Sequence, residues 1–487
     1  MHGWIVASVL CAPVPVPPVA LMKEADEAAL RAAGLKLETE TLLRLVERIG
    51  GKPLPAARVK ELVAQMGDDS FDKREAAMKA LAEAGPPMLP ALRAVGGDAE
   101  VAARLKRLIA TFETEEKLFE PAVRVLLLGA ERGTVKRLLA LPDAGFRFRW
   151  LLEAAAMAER GEAKALGNPG PRRELMAGLG HADEDTRKMS RELLVHVLGP
   201  DSFGDLVRLT KSENKWVRAN AAMLFVRHQD KPEAAFKAIR PLLKDKEPNV
   251  RCWAMMQMCL FCSAKGAVET LIGLLEDSSK CSESDSRTVG SLAASSLNGV
   301  KEEDGKRAIA ALAGKLGSAD RELVRMSLRT LGEIGSRSDR LASSALPHLK
   351  KALKSADSDI KQHAAWGLAL MRSRGRSAEP ALLRALAKEK LGAKPVGPSV
   401  IGNILWALRE MGATADAAPA LINILKSGEA DRDEKESAIH ALASMKVLPP
   451  TAVAALQKAF QDDPVLRVRG EAILKRTGHE LANPHRP

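Results

Sequence analysis

One short pattern, which recurs from residue 183 to the C-terminal region, constrains the fold of this chain more than any other feature. An acidic or amide residue is followed by two spacers, a branched apolar residue, usually Arg or Lys, and then a small residue. The clearest copies begin at Asn214, Glu247, Asp357 and Asp463. Self-similarity at this scale marks stacked units that cannot bury their apolar faces alone. The pattern therefore predicts a repeat protein, and such arrays usually act as binding surfaces.

The branched residue of the pattern gives the length of each repeat. It recurs at intervals of 31 to 40 residues, at Thr186, Val217, Val250, Val289, Val324, Ile360, Val400, Glu434 and Leu466, with Val289 and Glu434 as weak matches. Each interval holds two helical patterns. The first of the two carries a proline in its expected first turn, where a missing N–H costs little, as at Pro90, Pro347, Pro380 and Pro419. The repeat unit is therefore predicted to be a helical hairpin.

The pairing of "xxxPxLxxxLxD" with "xVRxxAxxAL" resembles the HEAT repeat, in the form common in bacterial multi-repeat proteins and in phycobilin lyase-like chains. The stretch 62–109 resembles the opening repeats of such proteins. The resemblance implies an all-α, right-handed α-solenoid of roughly ten hairpins with divergent N-terminal repeats, in which the second helices line a concave side. It also implies a ladder between turn acids and basic residues of neighbouring repeats, formed by Asp245, Asp357 and Asp463 with Arg218, Arg251, Arg325, Lys361 and Arg467.

The pattern also divides the chain. We expect a Pro-rich tail or degenerate export signal over 1–22, a helical region with the first repeats over 23–115, and divergent helices with a hinge near 165–178 over 116–180. The regular array follows over 181–478, and a short tail over 479–487. The first 22 residues carry no Asp, Glu, Lys or Arg but include a short apolar run. This composition favours export to the periplasm or cell envelope over a cytoplasmic location, although a basic residue before the run and a clean cleavage site are missing.

The net charge is +12, and the first 120 residues contribute 16 basic and 18 acidic residues, so the excess positive charge lies in the array. A basic array could favour nucleic acid. The charges are nevertheless scattered through the repeats, and the implied ladder itself uses arginine. A nucleic-acid or DNA-modifying role in a basic, Trp-containing groove therefore remains the alternative to a role in binding proteins.

Neither metal, cofactor nor catalysis is indicated by the sequence. Cys252, Cys259 and Cys262 fall on one predicted helix and Cys281 in a polar loop. A second Cys pair or His pair at zinc spacing is missing, so these residues are predicted to be buried or semi-buried thiols, with a metal or redox role as the minor alternative. The sequence also lacks a phosphate-binding Gly-rich loop, a nucleophile elbow and a zinc-protease motif. These observations predict a non-enzymatic protein without a cofactor.

The candidate binding residues lie on the second helices, at positions that face away from the packed stripe at 100° per residue. This ridge comprises Met223, Met256, Met326, Gln362, His363, Trp366, Asn403, Trp406 and Arg409. It would place Trp366 and Trp406 at the same site of successive repeats. A second candidate is a basic edge for phosphate or acidic peptides, formed by Arg372, Arg374, Arg376, Lys388, Lys390 and Lys394. The sequence therefore predicts a scaffold whose partner is a protein or peptide.

Overall fold

The computed structural model describes residues 19–282, 286–392 and 399–476, and within these ranges the chain forms helices joined by turns. An isolated antiparallel bridge joins Lys280 to Thr288. The chain divides into two compact units, Met1–Arg227 and His228–Pro487. Among the described residues, none of the helices combines the length and the apolar character needed to cross a bilayer. The proposed export segment and the C-terminal tail fall largely outside the described residues.

The first unit contains helices α1 to α13. They are α1 (Val19–Ala32), α2 (Thr39–Ile49), α3 (Ala56–Gln65), α4 (Phe71–Ala84), α5 (Leu89–Arg93), α6 (Ala99–Glu116), α7 (Phe119–Leu128), α8 (Thr134–Leu139), α9 (Ala144–Glu159), α10 (Pro169–Ala177), α11 (Glu184–Val197), α12 (Phe203–Leu209) and α13 (Lys215–Leu224). The stretch 165–178, which the sequence assigns to a hinge, contains α10.

The second unit contains helices α14 to α27. They are α14 (Pro232–Ile239), α15 (Pro248–Met258), α16 (Ala267–Leu274), α17 (Val289–Ser296), α18 (Glu302–Gly314), α19 (Arg321–Gly335), α20 (Asp339–Ala352), α21 (Ser358–Leu370), α22 (Glu379–Leu386), α23 (Val400–Met411), α24 (Ala418–Lys426), α25 (Arg432–Ala443), α26 (Pro450–Asp462) and α27 (Pro464–Arg476). Short 3₁₀ turns are Pro86–Met88, Lys164–Gly167, Gly178–Gly180, Pro200–Ser202, Phe225–His228, Arg240–Lys244, Leu297–Gly299, Arg372–Ala378 and Ala415–Ala417.

The acidic or amide residue of the repeat pattern is the N-cap of the second helix. Asn214 accepts the backbone N–H of Trp216, and Asp357 accepts that of Asp359. Asp463 similarly accepts the N–H groups of the next helix. The first turn of a helix has no internal acceptors for its N–H groups, so a short polar side chain there fixes where the helix begins. This requirement explains why the pattern recurs with Asp or Asn at the same place.

The proline prediction is right at three positions and wrong at one. Pro90, Pro380 and Pro419 are the second residues of α5, α22 and α24. Pro347 instead lies inside α20, because Ser338 caps that helix well before the proline. A proline there removes the N–H that would bond the carbonyl of Ser343. Ser343 is exposed, so water can satisfy that carbonyl.

In the second unit the second helices of successive hairpins pack side by side in chain order. We call α15, α17, α19, α21, α23, α25 and α27 the second-helix row. Its interior contains most of the branched anchor residues. Val250, Val289 and Leu466 are fully or almost fully buried. The weak anchor Glu434 is also buried, because its carboxylate accepts the backbone N–H of Asp431.

Two glycines allow α19 and α21 to approach at backbone distance. A Cβ added to Gly332 would lie 2.1 Å from the carbonyl oxygen of Gly367, and a Cβ added to Gly367 would lie 2.5 Å from the carbonyl oxygen of Leu328. Neither obstacle is a flexible side chain, so only glycine fits at this crossing. The crossing fixes the position of α21 within the second-helix row.

Candidate functional site

The two predicted tryptophans meet on the second-helix row. Trp366 on α21 and Trp406 on α23 have ring centroids 5.9 Å apart, and the planes are 89° to each other. Both side chains are partly exposed. An edge-to-face arrangement is a favourable geometry for aromatic pairs. The pair therefore forms an ordered aromatic surface that is neither core nor fully solvated.

Neighbouring side chains hold Trp366 in place. The His363 ring is parallel to it within 8° at 6.2 Å, and the Arg329 guanidinium lies 5.7 Å from its centroid. His363 Nδ1 is 2.9 Å from the carbonyl oxygen of Asp359, whereas Arg329 donates to Glu333 at 3.0 Å. Because both neighbours have partners of their own, the orientation of the indole is set before any ligand arrives.

Asn403 ties the two helices together. It is buried, and its Nδ2 donates to the backbone carbonyl oxygen of Gln362 at 3.4 Å. It therefore acts as a structural link between α21 and α23 rather than an exposed contact. The indole N–H groups of Trp366 and Trp406 have no acceptor among the described residues. Each can still donate to a bound partner.

The remaining ridge residues spread along the chain rather than gather at the tryptophans. Met326 lies on α19, next to α21, and Arg409 is exposed on α23. Met256 is 39% exposed on α15, which is separated from α19 by α17. Met223 belongs to α13 in the first unit. The residues gathered around the tryptophan pair are therefore those of α19, α21 and α23.

The basic edge divides into two groups at the two ends of α22. Arg372, Arg374 and Arg376 lie in the 3₁₀ turn that precedes the helix, and Lys388 and Lys390 are exposed after it. Lys394 lies outside the described residues. Arg374 donates to Asp339 at 3.0 Å and to the carbonyl oxygen of Ser336 at 2.9 Å. The first group therefore lies at the end of α19 and the start of α20.

A cavity of about 470 Å³ joins the ridge to this arginine turn. It lies between the ends of α19 and α21 and the side of α23. Its lining includes Ser336, Leu370, Arg372, Arg374, Trp406 and Glu410. The two candidate surfaces predicted separately from the sequence thus share one cavity. The sequence did not show this connection, because it depends on where the ends of α19 and α21 lie relative to α23.

The basic residue of the repeat pattern has a role that the sequence analysis did not assign. Five arginines each donate to the two backbone carbonyls located six and five positions before them, namely Arg74, Arg147, Arg187, Arg218 and Arg251. Each guanidinium thereby closes the turn that leads into its own helix. Because Arg147 makes the same two hydrogen bonds, this arginine arrangement extends into the region predicted to be divergent.

Several members of the implied ladder pair with residues outside the predicted set. Arg251 pairs with Asp277 at 2.9 Å and Arg325 with Asp359 at 2.7 Å. The predicted acids Asp357 and Asp463 pair instead with Arg321 at 2.9 Å and Arg432 at 3.0 Å. Lys361 pairs with Glu389, and Arg467 pairs with Glu471 of its own helix. The partners differ because acids of the loop and first turn also reach across neighbouring repeats.

The cysteine prediction is wrong for two of the residues. Cys252 and Cys281 form a disulfide, with Cα atoms 5.5 Å apart. The loop that contains Cys281 folds back on α15, where Asp277 also meets Arg251. The sequence could not reveal this pairing, because it arises from the path of a long loop. Helix α15 also ends at Met258, so Cys259 and Cys262 lie beyond the helix on which the sequence predicted them.

The remaining two described cysteines are free. Burial raises the pKa of the Cys262 thiol to about 12, and its Sγ lies 2.8 Å from the carbonyl oxygen of Met258. Cys259 is exposed as a residue, and desolvation of its thiol also raises its pKa. Within the described residues, no group of three or more His, Cys, Asp or Glu side chains is placed to hold a metal ion.

Similarity to solved structures places this architecture among HEAT-repeat proteins. A complex of Kap95 and Nup1 aligns with 87% of this chain and 68% of that chain, at 12% identity and a TM-score of 0.52. Yeast importin-beta (Kap95p) aligns with 84% of this chain and 64% of its own length, at 12% identity and a TM-score of 0.51. Kap121p bound to Ste12p aligns over 92% and 54%, at 13% identity and a TM-score of 0.51.

No family model matches the chain, and no curated protein matches it. The chain spans about half to two thirds of the structures it resembles. At 12% to 13% identity the likeness concerns the fold alone. The fold is an all-α solenoid built from HEAT-type helical repeats.

Proposed function

We propose that this chain is a non-enzymatic scaffold that binds another protein on the second-helix row, with Trp366 and Trp406 at the centre of the contact. The observation that carries the proposal is the pair of partly exposed indoles, whose N–H groups have no acceptor among the described residues. Tryptophan offers a large apolar area together with one donor, and it is enriched among residues that dominate interface energies.

The rigidity of the surface supports this proposal. The glycine crossing fixes α21 against α19, and Asn403 links α21 to α23. Each side chain that must be ordered on binding costs free energy, so a surface that is already ordered loses less when a partner binds. Little free energy is therefore needed to order the tryptophan pair when a partner binds.

Two of the similar structures contain protein partners. Kap95 is in a complex with Nup1, and Kap121p is bound to Ste12p. These solenoids differ widely from this chain in sequence, so they support only the class of function. Binding of a protein segment is the role that this class suggests for the present chain.

The contacts of the arginines weigh against the nucleic-acid alternative. Arg74, Arg147 and Arg187 donate to backbone carbonyls, and Arg251 and Arg325 pair with aspartates. These five guanidinium groups are therefore engaged by contacts within the protein. A basic groove for phosphates needs cations whose charge is available to the ligand.

The test is affinity capture from the organism that makes the protein, with the full chain as bait. The bait carries Trp366→Ala with Trp406→Ala, and the matched control is Phe71→Ala, which removes another exposed aromatic ring, 64% exposed, in the first unit. Loss of a hot-spot tryptophan costs about 2 kcal/mol or more, so we expect the double variant to lose its specific partner and the control to keep it. Equal recovery by both variants would refute the proposal.

Salt separates the two classes of ligand. A nucleic-acid complex that neutralises several phosphates weakens by orders of magnitude between about 50 and 200 mM salt, because counterions are released on binding. A protein segment on an aromatic surface should change its affinity far less over the same range. A steep salt dependence of the captured complex, together with loss on nuclease treatment, would favour nucleic acid.

We also propose that the chain works in an oxidising compartment, in agreement with the export expected from its first 22 residues. The Cys252–Cys281 disulfide supports this location, because such bonds persist outside the reducing cytosol. Protein isolated from its source under thiol-blocking conditions should yield the linked Cys252–Cys281 peptide in mass spectrometry. Recovery of both cysteines in the blocked, reduced form would contradict the proposal.

A further inference from the structure

Arg372 has a backbone conformation that is costly for its residue type. Its φ is +51°, and among the described residues the other positive φ values belong to glycines. It directly follows the C-cap of α21, a place where helices commonly end on a left-handed glycine. A side chain in this region strains the backbone, and such strain persists mainly where the side chain has a use. The position of Arg372 therefore raises the question of what its guanidinium does.

The two other arginines of the turn have partners, whereas Arg372 has none among the described residues. Among the described residues its side chain makes no hydrogen bond or ion pair. In the same turn, Arg374 pairs with Asp339, and Arg376 donates to the carbonyl oxygen of Met411 at 3.0 Å.

The acids near the cavity already have cations. Glu410 lies 3.7 Å from Arg409, and Glu333 accepts from Arg329 at 3.0 Å. Among the described residues that line the cavity, Arg372 is therefore the arginine without a partner, and the indole of Trp406 lines the same cavity. A planar guanidinium binds a carboxylate through two parallel hydrogen bonds, and loss of either partner weakens binding strongly.

We propose that this cavity receives an aspartate or glutamate side chain from an extended segment of the partner protein, with Arg372 binding the carboxylate. A neighbouring apolar side chain of the same segment packs against Trp406. This inference rests on the proposed function, and it specifies the chemistry of the partner as an acidic and apolar peptide. The cavity of about 470 Å³ has room for one side chain and part of the next.

The experiment selects ligands for the intact chain from a library of short random peptides. We expect the selected peptides to place Asp or Glu next to a large apolar residue. Replacement of the carboxylate by its amide should weaken binding roughly tenfold to a hundredfold, the range of a lost charge-assisted hydrogen-bond pair. Peptides that lack an acidic residue, or that bind equally as amides, would overturn the inference.

Three variants complete the test. Arg372→Gly should weaken binding by the same factor as the amide peptide while raising the temperature of unfolding, because it removes the left-handed strain together with the guanidinium. Arg372→Lys should keep part of the affinity. Arg384→Ala removes an exposed arginine of α22 that does not line the cavity, and should leave binding unchanged. If Arg372→Gly only stabilises the protein, the arginine has no part in binding.

These outcomes separate the inference from the function on which it rests. Binding that depends on Trp406 but not on Arg372 or on acidic residues would overturn the inference alone. Binding that survives Trp366→Ala with Trp406→Ala would overturn both. Preference for an oligonucleotide over every selected peptide would assign the surface to nucleic acid instead.

Discussion

The glycine crossing between α19 and α21 determines whether a Gly→Ala substitution raises or lowers the free energy of unfolding. The perturbation is Gly367→Ala. The added methyl group would lie 2.5 Å from the carbonyl oxygen of Leu328 and 3.0 Å from Cδ2 of Leu349. The first obstacle is backbone, so the strain can be relieved only by moving α21 away from α19. Overpacking of this kind costs up to about 3 kcal/mol.

The same substitution also has a favourable effect on the helix. Alanine is preferred over glycine inside a helix by about 1 kcal/mol. The two terms leave a net loss of about 2 kcal/mol in the free energy of unfolding. Gly273→Ala is the matched control, since glycine 273 lies in α16 and a Cβ added there meets nothing within 4 Å. The control should therefore be stabilised by up to about 1 kcal/mol.

Hydrogen exchange is the appropriate assay, because a repeat array need not unfold in one step. We expect faster exchange in peptides from α19 and α21 of Gly367→Ala, with slower or unchanged exchange in α16 of the control. Thermal unfolding followed by circular dichroism gives the global effect. If both variants were equally stabilised, the helices would not meet at backbone distance, and the reasoning would be refuted.

Three further predictions concern single side chains. Arg147→Ala should destabilise the first unit by about 2 to 3 kcal/mol in chemical unfolding, since it removes a buried, charged hydrogen bond to the carbonyl of Leu141. Arg44→Ala, at a surface pair, should change stability by less than about 0.5 kcal/mol. The hydrogen bond from Thr186 lowers the pKa of Asp183, so its stabilising effect is present above the unfolded pKa near 4 and lost as the pH falls through the folded value; Asp183→Asn should flatten this part of the pH–stability curve. Cys262, with its pKa raised to about 12, should resist iodoacetamide at pH 8 until the protein unfolds, and fast labelling of the folded chain would contradict its burial.

Features that depend on local chemistry could be predicted from the sequence. The caps Asn214 and Asp357, and the buried anchor Val250, follow from the needs of a helix start and an apolar stripe. The same phase placed Trp366 and Trp406 at equivalent positions, and the structure brings their rings together. A periodic pattern can predict these features because each repeat uses the same local rules.

Features that depend on contacts between distant segments could not be predicted from the sequence. The pattern suggested only a salt-bridge ladder for Arg218, and nothing in the sequence indicated that its guanidinium donates to the carbonyls of the preceding turn. Pro347 was predicted to lie in the first turn of its helix, but Ser338 caps that helix nine residues before the proline. The Cys252–Cys281 disulfide depends on the path of a loop that carries no periodic signal.

The cavity shows the same limit at the candidate site. Its lining comes from the ends of α19 and α21 and the side of α23, and the strained φ of Arg372 cannot be recognised in the sequence. From the sequence, the tryptophan ridge and the basic edge were separate candidates. Their convergence is a property of how α21 ends and α22 begins.

Site-specific photocrosslinking tests the central claim most directly. A photoreactive amino acid at Gln362, on α21 beside the tryptophans, should form a covalent adduct with the captured partner, and the adduct should disappear in the background of Trp366→Ala with Trp406→Ala. The same group at His348, on the first helix of that hairpin, should form none. Adducts from His348 but not from Gln362 would place the partner on the other side of the hairpins and contradict the account.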